Sequence, residues 1–203
     1  MIDQAIRQHI EAAITKAEQG TRAEFVAAIA RRADDYRGNA LMAGMIAALL
    51  AGVAIWIFAL WPGPAETLVA ELLAFIVVYA VAAWTHLGLH FVPHHRKRHM
   101  AARLARLVFL ERGLASTEER CGVLFFVSQS ERYVEIIADG GIDQAVEPGA
   151  WRKIVDDFTA AIGKGAVEQG FVAAIEALGA LLGRHYPPEN GNPNRIPDRL
   201  IEL

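Results

Sequence analysis

The chain has 203 residues, 54% of them hydrophobic, and 20 Lys and Arg against 23 Asp and Glu give a formal net charge of −3. That balance gives no reason to expect nucleic acid as a partner, since the basic residues gather beside the apolar segment, and a single cysteine, Cys121, excludes an intrachain disulfide and a cysteine-based metal cluster. Mean hydropathy is positive although 21% of residues are charged, so the apolar excess must be concentrated, and it lies between residues 40 and 92. The remaining residues, about 150, suffice for one domain with a real core.

From Ile2 to Glu18, Ile2, Ile6, Ile10, Ala13 and Ile14 recur at helical spacing, which predicts an amphipathic helix ending near Gln19 and Gly20. The start carries no basic segment followed by an apolar core, so no cleavable signal peptide is expected. Thr21 to Ala30 begins as a strand would but has an alanine-rich body, and periodicity leaves strand and helix both open.

Ala40 to Trp61 is an uncharged run long enough to cross a hydrocarbon core of roughly 30 Å as a helix. A second run, 68–92, contains Glu71 near its start and His86 and His90 near its end. Trp61 to Ala65 allows only a tight turn between them. The expected unit is a two-helix transmembrane hairpin, Ala40 to Val92, with Trp56, Trp61, Tyr79 and Trp84 at interfacial positions. Cationic residues flank it on both sides, Arg31, Arg32 and Arg37 before and Arg96, Lys97, Arg98, Arg103 and Arg106 after, whereas the connecting turn has none. This distribution predicts a multi-pass protein of the cytoplasmic membrane with its N- and C-terminal segments in the cytoplasm and that basic collar at the lipid headgroups.

His86, His90 and His94 are spaced to share a helix face, as a zinc or copper site requires, but Pro93 interrupts the helix and no carboxylate stands near to orient the rings. An interfacial role explains them more simply. Met100 to Glu111 reads as a basic amphipathic helix with Leu104, Leu107, Val108 and Leu110 inward and Arg103 and Arg106 free to reach headgroups. Ser116 to Arg120 is a polar link. Cys121 to Val127 is a nearly continuous apolar strand of the kind buried on both faces. Ser128 to Glu131 makes a turn, and Arg132 to Ala138 returns as the second strand of a hairpin.

Asp139-Gly140-Gly141-Ile142-Asp143 breaks that strand. Pro148 precedes a helix with Trp151, Ile154, Val155, Phe158 and Ile162 on one face, and a last helix carries Val167, Phe171, Ile175, Leu178 and Leu182 before ending at Gly183. The tail, 187–203, is extended and rich in Pro and Asn, and Leu200 to Leu203 is apolar enough to dock on the domain.

The stretch from Cys121 to Tyr186, with its GVLFFVS strand, SQSER turn, YVEIIADGGI strand, GKGAVEQGFVAAIEALGALL helix and HYPP end, resembles the TPM-domain family, in particular bacterial membrane forms with a transmembrane hairpin inserted in the domain. The upstream TRAEFVAAIARRADDYR is similar to that family's first strand. The resemblance implies an α/β fold, a small sheet flanked by helices, built from residues 1–39 and 93–186 on either side of the hairpin.

The resemblance also brings two activities into view, acid phosphatase and divalent-cation binding. Asp139 and Asp143, on a glycine turn at a strand end, are the candidate ligands for calcium or magnesium, although aspartates at such turns ordinarily bond their own backbone. Neither a phosphate-cradling glycine loop nor a nucleophile elbow is present, and no catalytic residue is assigned. Cys121, Ser128 and Ser130 read as core and turn residues. The expectation is a membrane-anchored, non-enzymatic accessory, binding or quality-control module whose partners are the lipid bilayer and another membrane protein, with no nucleic acid; the alternative is a divalent-cation-dependent phosphatase at the membrane surface.

Overall fold

The computed structural model describes residues 3–58, 63–84, 92–116, 120–188 and 200–203. Contacts divide the chain into two units, Met1–Ala33 with Arg98–Leu203, and Asp34–Lys97.

The first unit is built on a four-stranded sheet. Helix α1 (Gln4–Glu18) leads into β1 (Glu24–Ala30), so the segment that periodicity left open is a strand, buried along its whole length. Strands β2 (Gly122–Ser128) and β3 (Tyr133–Ala138) form the expected antiparallel hairpin, and β4 (Ile201–Glu202) comes from the C-terminal residues. The order is β3-β2-β1-β4, with β1 parallel to both neighbours. Beta-branched and aromatic side chains on a two-residue period make this a sheet covered on both faces. Phe25, Ala27, Ile29, Val123, Phe125 and Val127 face one core, and Val26, Ala28, Ala30, Leu124 and Phe126 face the other.

Two helices, α6 (Pro148–Gly163) and α7 (Val167–His185), cover the first face together with α1. Most of the apolar stripes the sequence predicts are buried, Ile154, Phe158, Phe171, Ile175, Leu178 and Leu182 among them, whereas Ile162 is exposed and Trp151, Val155 and Val167 are half-buried. The docked end of the tail is also as expected: Leu200 is buried, and the Arg7 guanidinium donates to its carbonyl at 3.0 Å. Arg7 also pairs with Glu202 at 3.6 Å.

Helix α4 (His94–Glu111) carries the second core and differs from expectation in two ways. It begins at His94 rather than near Met100, because Pro93 precedes the first helical residue, where a proline starts a helix instead of interrupting one. Its inward residues are Ala101, Ala105, Val108 and Phe109, while Leu107 and Leu110 are exposed. Small side chains at Ala101 and Ala105 let the helix lie close on the sheet, a face that weighting by large apolar residues overlooks.

The second unit contains two long helices, α2 (Arg37–Ile57) and α3 (Pro64–Trp84), packed against each other. Both begin earlier than the uncharged runs. Polar Arg37 and Asn39 join the first turn of α2, and Pro64 with Glu66 suits the first turn of α3. Both are long and apolar enough to cross a membrane. Two contacts set their approach: a Cβ on Gly44 would lie 2.8 Å from the Phe75 ring, and one on Gly52 would lie 2.3 Å from a Glu71 carboxylate oxygen. Trp61 and Pro62 of the connecting turn, His86 and His90, residues 85–91 of the second apolar run, Thr117 to Glu119 of the polar link and the tail over 189–199 lie outside the described residues.

Candidate functional site

A cleft of the sheet domain opens at the carboxyl ends of β1 and β2, where α/β sheets commonly take their ligands. Its volume is about 790 Å³. Ile29, Val127 and Ser128 close the sheet side, and α6 and α7 supply Val155, Phe158, Ile162 and Val167. The rim is polar, with Arg98 from α4 and Gln129, Arg132 and Tyr133 from the hairpin turn and the strand after it.

The turn is held by the stretch after β1. Gln129 N–H donates to Ala30 O at 2.9 Å and Ser130 N–H to Arg31 O at 3.2 Å. Beneath it, buried Glu131 accepts from the Ser128 hydroxyl through one oxygen and from Ala33 N–H at 3.2 Å through the other. Arg132 then takes a positive φ of 51°, costly for a residue with a side chain, and the bonds on either side compensate. Strand position therefore fixes Tyr133, and the turn fixes Arg132.

Burial pushes the Tyr133 phenol up to about 12, helped by the charge of Glu135 and a hydrogen bond to it, and opposed by Arg98 and Arg106. Below pH 10 this tyrosine is protonated in folded and unfolded chains alike, and its contribution to stability is complete. Between pH 10 and about 12 the unfolded chain gives up the proton first, so stability falls as pH rises. Alkaline unfolding of Tyr133→Phe is expected to lose that part of the slope. An unchanged slope would show that Tyr133 ionises at its ordinary value.

Asp139 and Asp143 stand elsewhere, at the start of a short helix, α5 (Gly140–Ala145), where the sequence predicts only a glycine turn. Asp139 caps that helix, accepting from Gly140 N–H at 2.5 Å and from the Arg120 guanidinium at 3.3 Å through one oxygen. Its other oxygen is buried without a hydrogen-bond partner. Asp143 is exposed one turn on, and its N–H donates to Asp139 O at 3.0 Å. Calcium asks for six to eight oxygens, and among the described residues no group of three or more His, Cys, Asp or Glu side chains is placed to hold a metal. A guanidinium and a helix N-terminus already balance the Asp139 charge. That donor set suits a capped and paired carboxylate better than a divalent cation.

Of the predicted collar, Arg96, Arg98, Arg103 and Arg106 are exposed and Lys97 half-buried, all on α4. Cys121 is buried, its thiol donating to Arg22 O at 3.6 Å. Sequence reasoning missed Arg132, Tyr133 and Arg98 as cleft residues, since the turn and α4 meet only through the fold. The one available signal was an arginine directly after the SQSE turn, at a position with no need for charge.

A mixed sheet with three parallel strands, helices on both faces and a cleft at the strand ends defines a layered α/β domain, with two long apolar helices between its first and second strands in sequence. Residues 84–181 match the TPM domain family. The solved NMR structure of the BA42 protein from the psychrophilic bacterium Bizionia argentinensis has the same fold, with a TM-score of 0.63 at 15% identity, over 100% of this chain and 96% of that one. No curated protein matches the chain.

Proposed function

We propose that the chain is a TPM-domain protein of the cytoplasmic membrane, anchored by α2 and α3 with its N- and C-terminal segments in the cytoplasm, where it serves other membrane proteins as a non-enzymatic accessory, binding or quality-control module. The observation that carries this reading is the outer surface of the helix pair. Leu49 is 68% exposed, Trp56 70% and Trp84 91%, and large apolar residues such as Met45, Leu72 and Val77 continue the face. So large an exposed apolar face marks a surface that a membrane or a partner covers. The same reading suits α4, whose exposed Leu107 and Leu110 lie beside Arg103 and Arg106, a pairing suited to the headgroup boundary.

Glu71 supports a protein partner in particular. It sits about 10 Å into α3 at the helical rise, half-buried against Gly52. A carboxyl group at such depth is costly and favours a hydrogen-bond donor or cation supplied by another membrane helix.

A photoreactive residue at Ile76, on the exposed surface of α3, is expected to cross-link one defined membrane protein in cells. Glu71→Leu should abolish that adduct and Glu71→Gln should retain it, with a reporter at Leu203 active in the cytoplasm throughout. A cross-link indifferent to Glu71→Leu removes the partner argument, and a reporter active outside the cytoplasm removes the orientation. Phosphomonoester hydrolysis that is stimulated by calcium or magnesium and lost in Asp139→Asn would favour the phosphatase alternative instead.

A further inference from the structure

The cleft at the strand ends combines two features that anchoring and partner binding leave unexplained, although one of its residues, Arg98, also belongs to the basic collar. Its rim carries two guanidiniums, Arg98 and Arg132, both exposed, and among the described residues no carboxylate lines it. Neither arginine forms an ion pair with a described residue, in contrast to Arg7, Arg37 and Arg120. The opposite wall is aliphatic, with Val155, Ile162 and Val167 only partly covered. A volume of about 790 Å³ is within the range of small-molecule sites.

These features select a ligand class. Inorganic phosphate would satisfy the guanidiniums and leave the aliphatic wall wet. A neutral acyl chain would cover the wall and leave two cations unpaired. We propose that the cleft binds an anionic amphiphile, its single carboxylate or phosphate head held by Arg98 and Arg132 and its aliphatic chain laid against Val155, Ile162 and Val167. Arginine suits the head because its planar fork makes paired hydrogen bonds to either oxyanion. Of the residues it uses, only Arg98 also belongs to the collar, so Arg132 and the aliphatic wall test it apart from the membrane reading.

The test uses the full chain in nanodiscs of zwitterionic lipid, with methyl NMR signals of Val155, Ile162 and Val167 as the readout. Octanoate and octyl phosphate are expected to shift these signals saturably, 1-octanol not to, and inorganic phosphate to bind at least about tenfold more weakly than octyl phosphate. Changing both arginines, Arg98→Gln with Arg132→Gln, should weaken octanoate by about tenfold or more, while unchanged methyl signals from buried Val123 and Leu124 report an intact fold. Filling the wall with Ile162→Trp should abolish octanoate binding with both guanidiniums still in place. Equal binding of 1-octanol, unsaturable shifts, or native affinity in the double arginine variant overturns the proposal. Nanodiscs containing phosphatidylglycerol separate the two sources of the head: shifts without added octanoate assign it to a bilayer lipid, and shifts only on adding octanoate assign it to a soluble amphiphile.

Discussion

Phe125→Ala is expected to destabilise the sheet domain by about 3–5 kcal/mol. Phe125 has no exposed surface and lies on β2, between β1 and β3. Its ring meets Phe158 edge-on at 5.1 Å and Phe171 at 5.9 Å, and those two meet each other at 4.9 Å. Each ring therefore supports the other two, and each edge-to-face pair adds to the burial of apolar area. Strand and helices hold the neighbours in place, so collapse into the space left by the ring is limited and the cavity term persists. Denaturant unfolding followed by Trp151 fluorescence, in a background with Trp56, Trp61 and Trp84 changed to Phe, measures the loss. A change below about 1 kcal/mol would show that the three rings are not mutually dependent.

Gly122→Ala acts through the backbone instead. A Cβ at this position would lie 2.2 Å from the Leu114 carbonyl oxygen and 2.9 Å from its Cα. Leu114 is fully buried in a short 3₁₀ turn (Leu114–Ser116), so that backbone has little room to retreat. Accommodating the methyl means moving the turn off the start of β2 or shifting β2 itself, which is paired on both sides. The expected loss is about 3 kcal/mol, measured by the same unfolding transition, with loss of hydrogen-exchange protection at Val123 and Leu124 as the local signature. Native stability in this variant would mean that the turn yields freely.

The sequence makes the helices of the first face and the β2–β3 hairpin readable, because their periods are unbroken and Ser128 to Glu131 marks the turn. Segment β1 was not decided by its own residues: three of its seven positions are alanine, and only pairing with β2 makes it a strand. The inward face of α4 was misread for a related reason, since close packing on a sheet favours Ala101 and Ala105 over the larger Leu107 and Leu110. Long-range assembly also concealed the cleft. Arg98 and Arg132 are 34 positions apart, and no local pattern ties a helix beginning to a hairpin turn. Asp139 was visible as a carboxylate beside glycines, but its use as a helix cap depends on the next six residues forming a helix, which two leading glycines disguise.

The pairing of Glu24 with Gly122 places partners 98 positions apart in a parallel register. During synthesis, β1 emerges long before the strand that will cover it, at roughly 5–20 residues per second a wait of about 5–20 s. Over that interval an apolar segment with unpaired edges is exposed to other chains. The β2–β3 hairpin is a local pairing, whereas β1 reaches β2 only across a large loop closure, the kind of contact that slows folding. A chain halted between β1 and β2 therefore carries residues 24–30 without the strand that covers them, an apolar edge open to aggregation while α2 and α3 are being made.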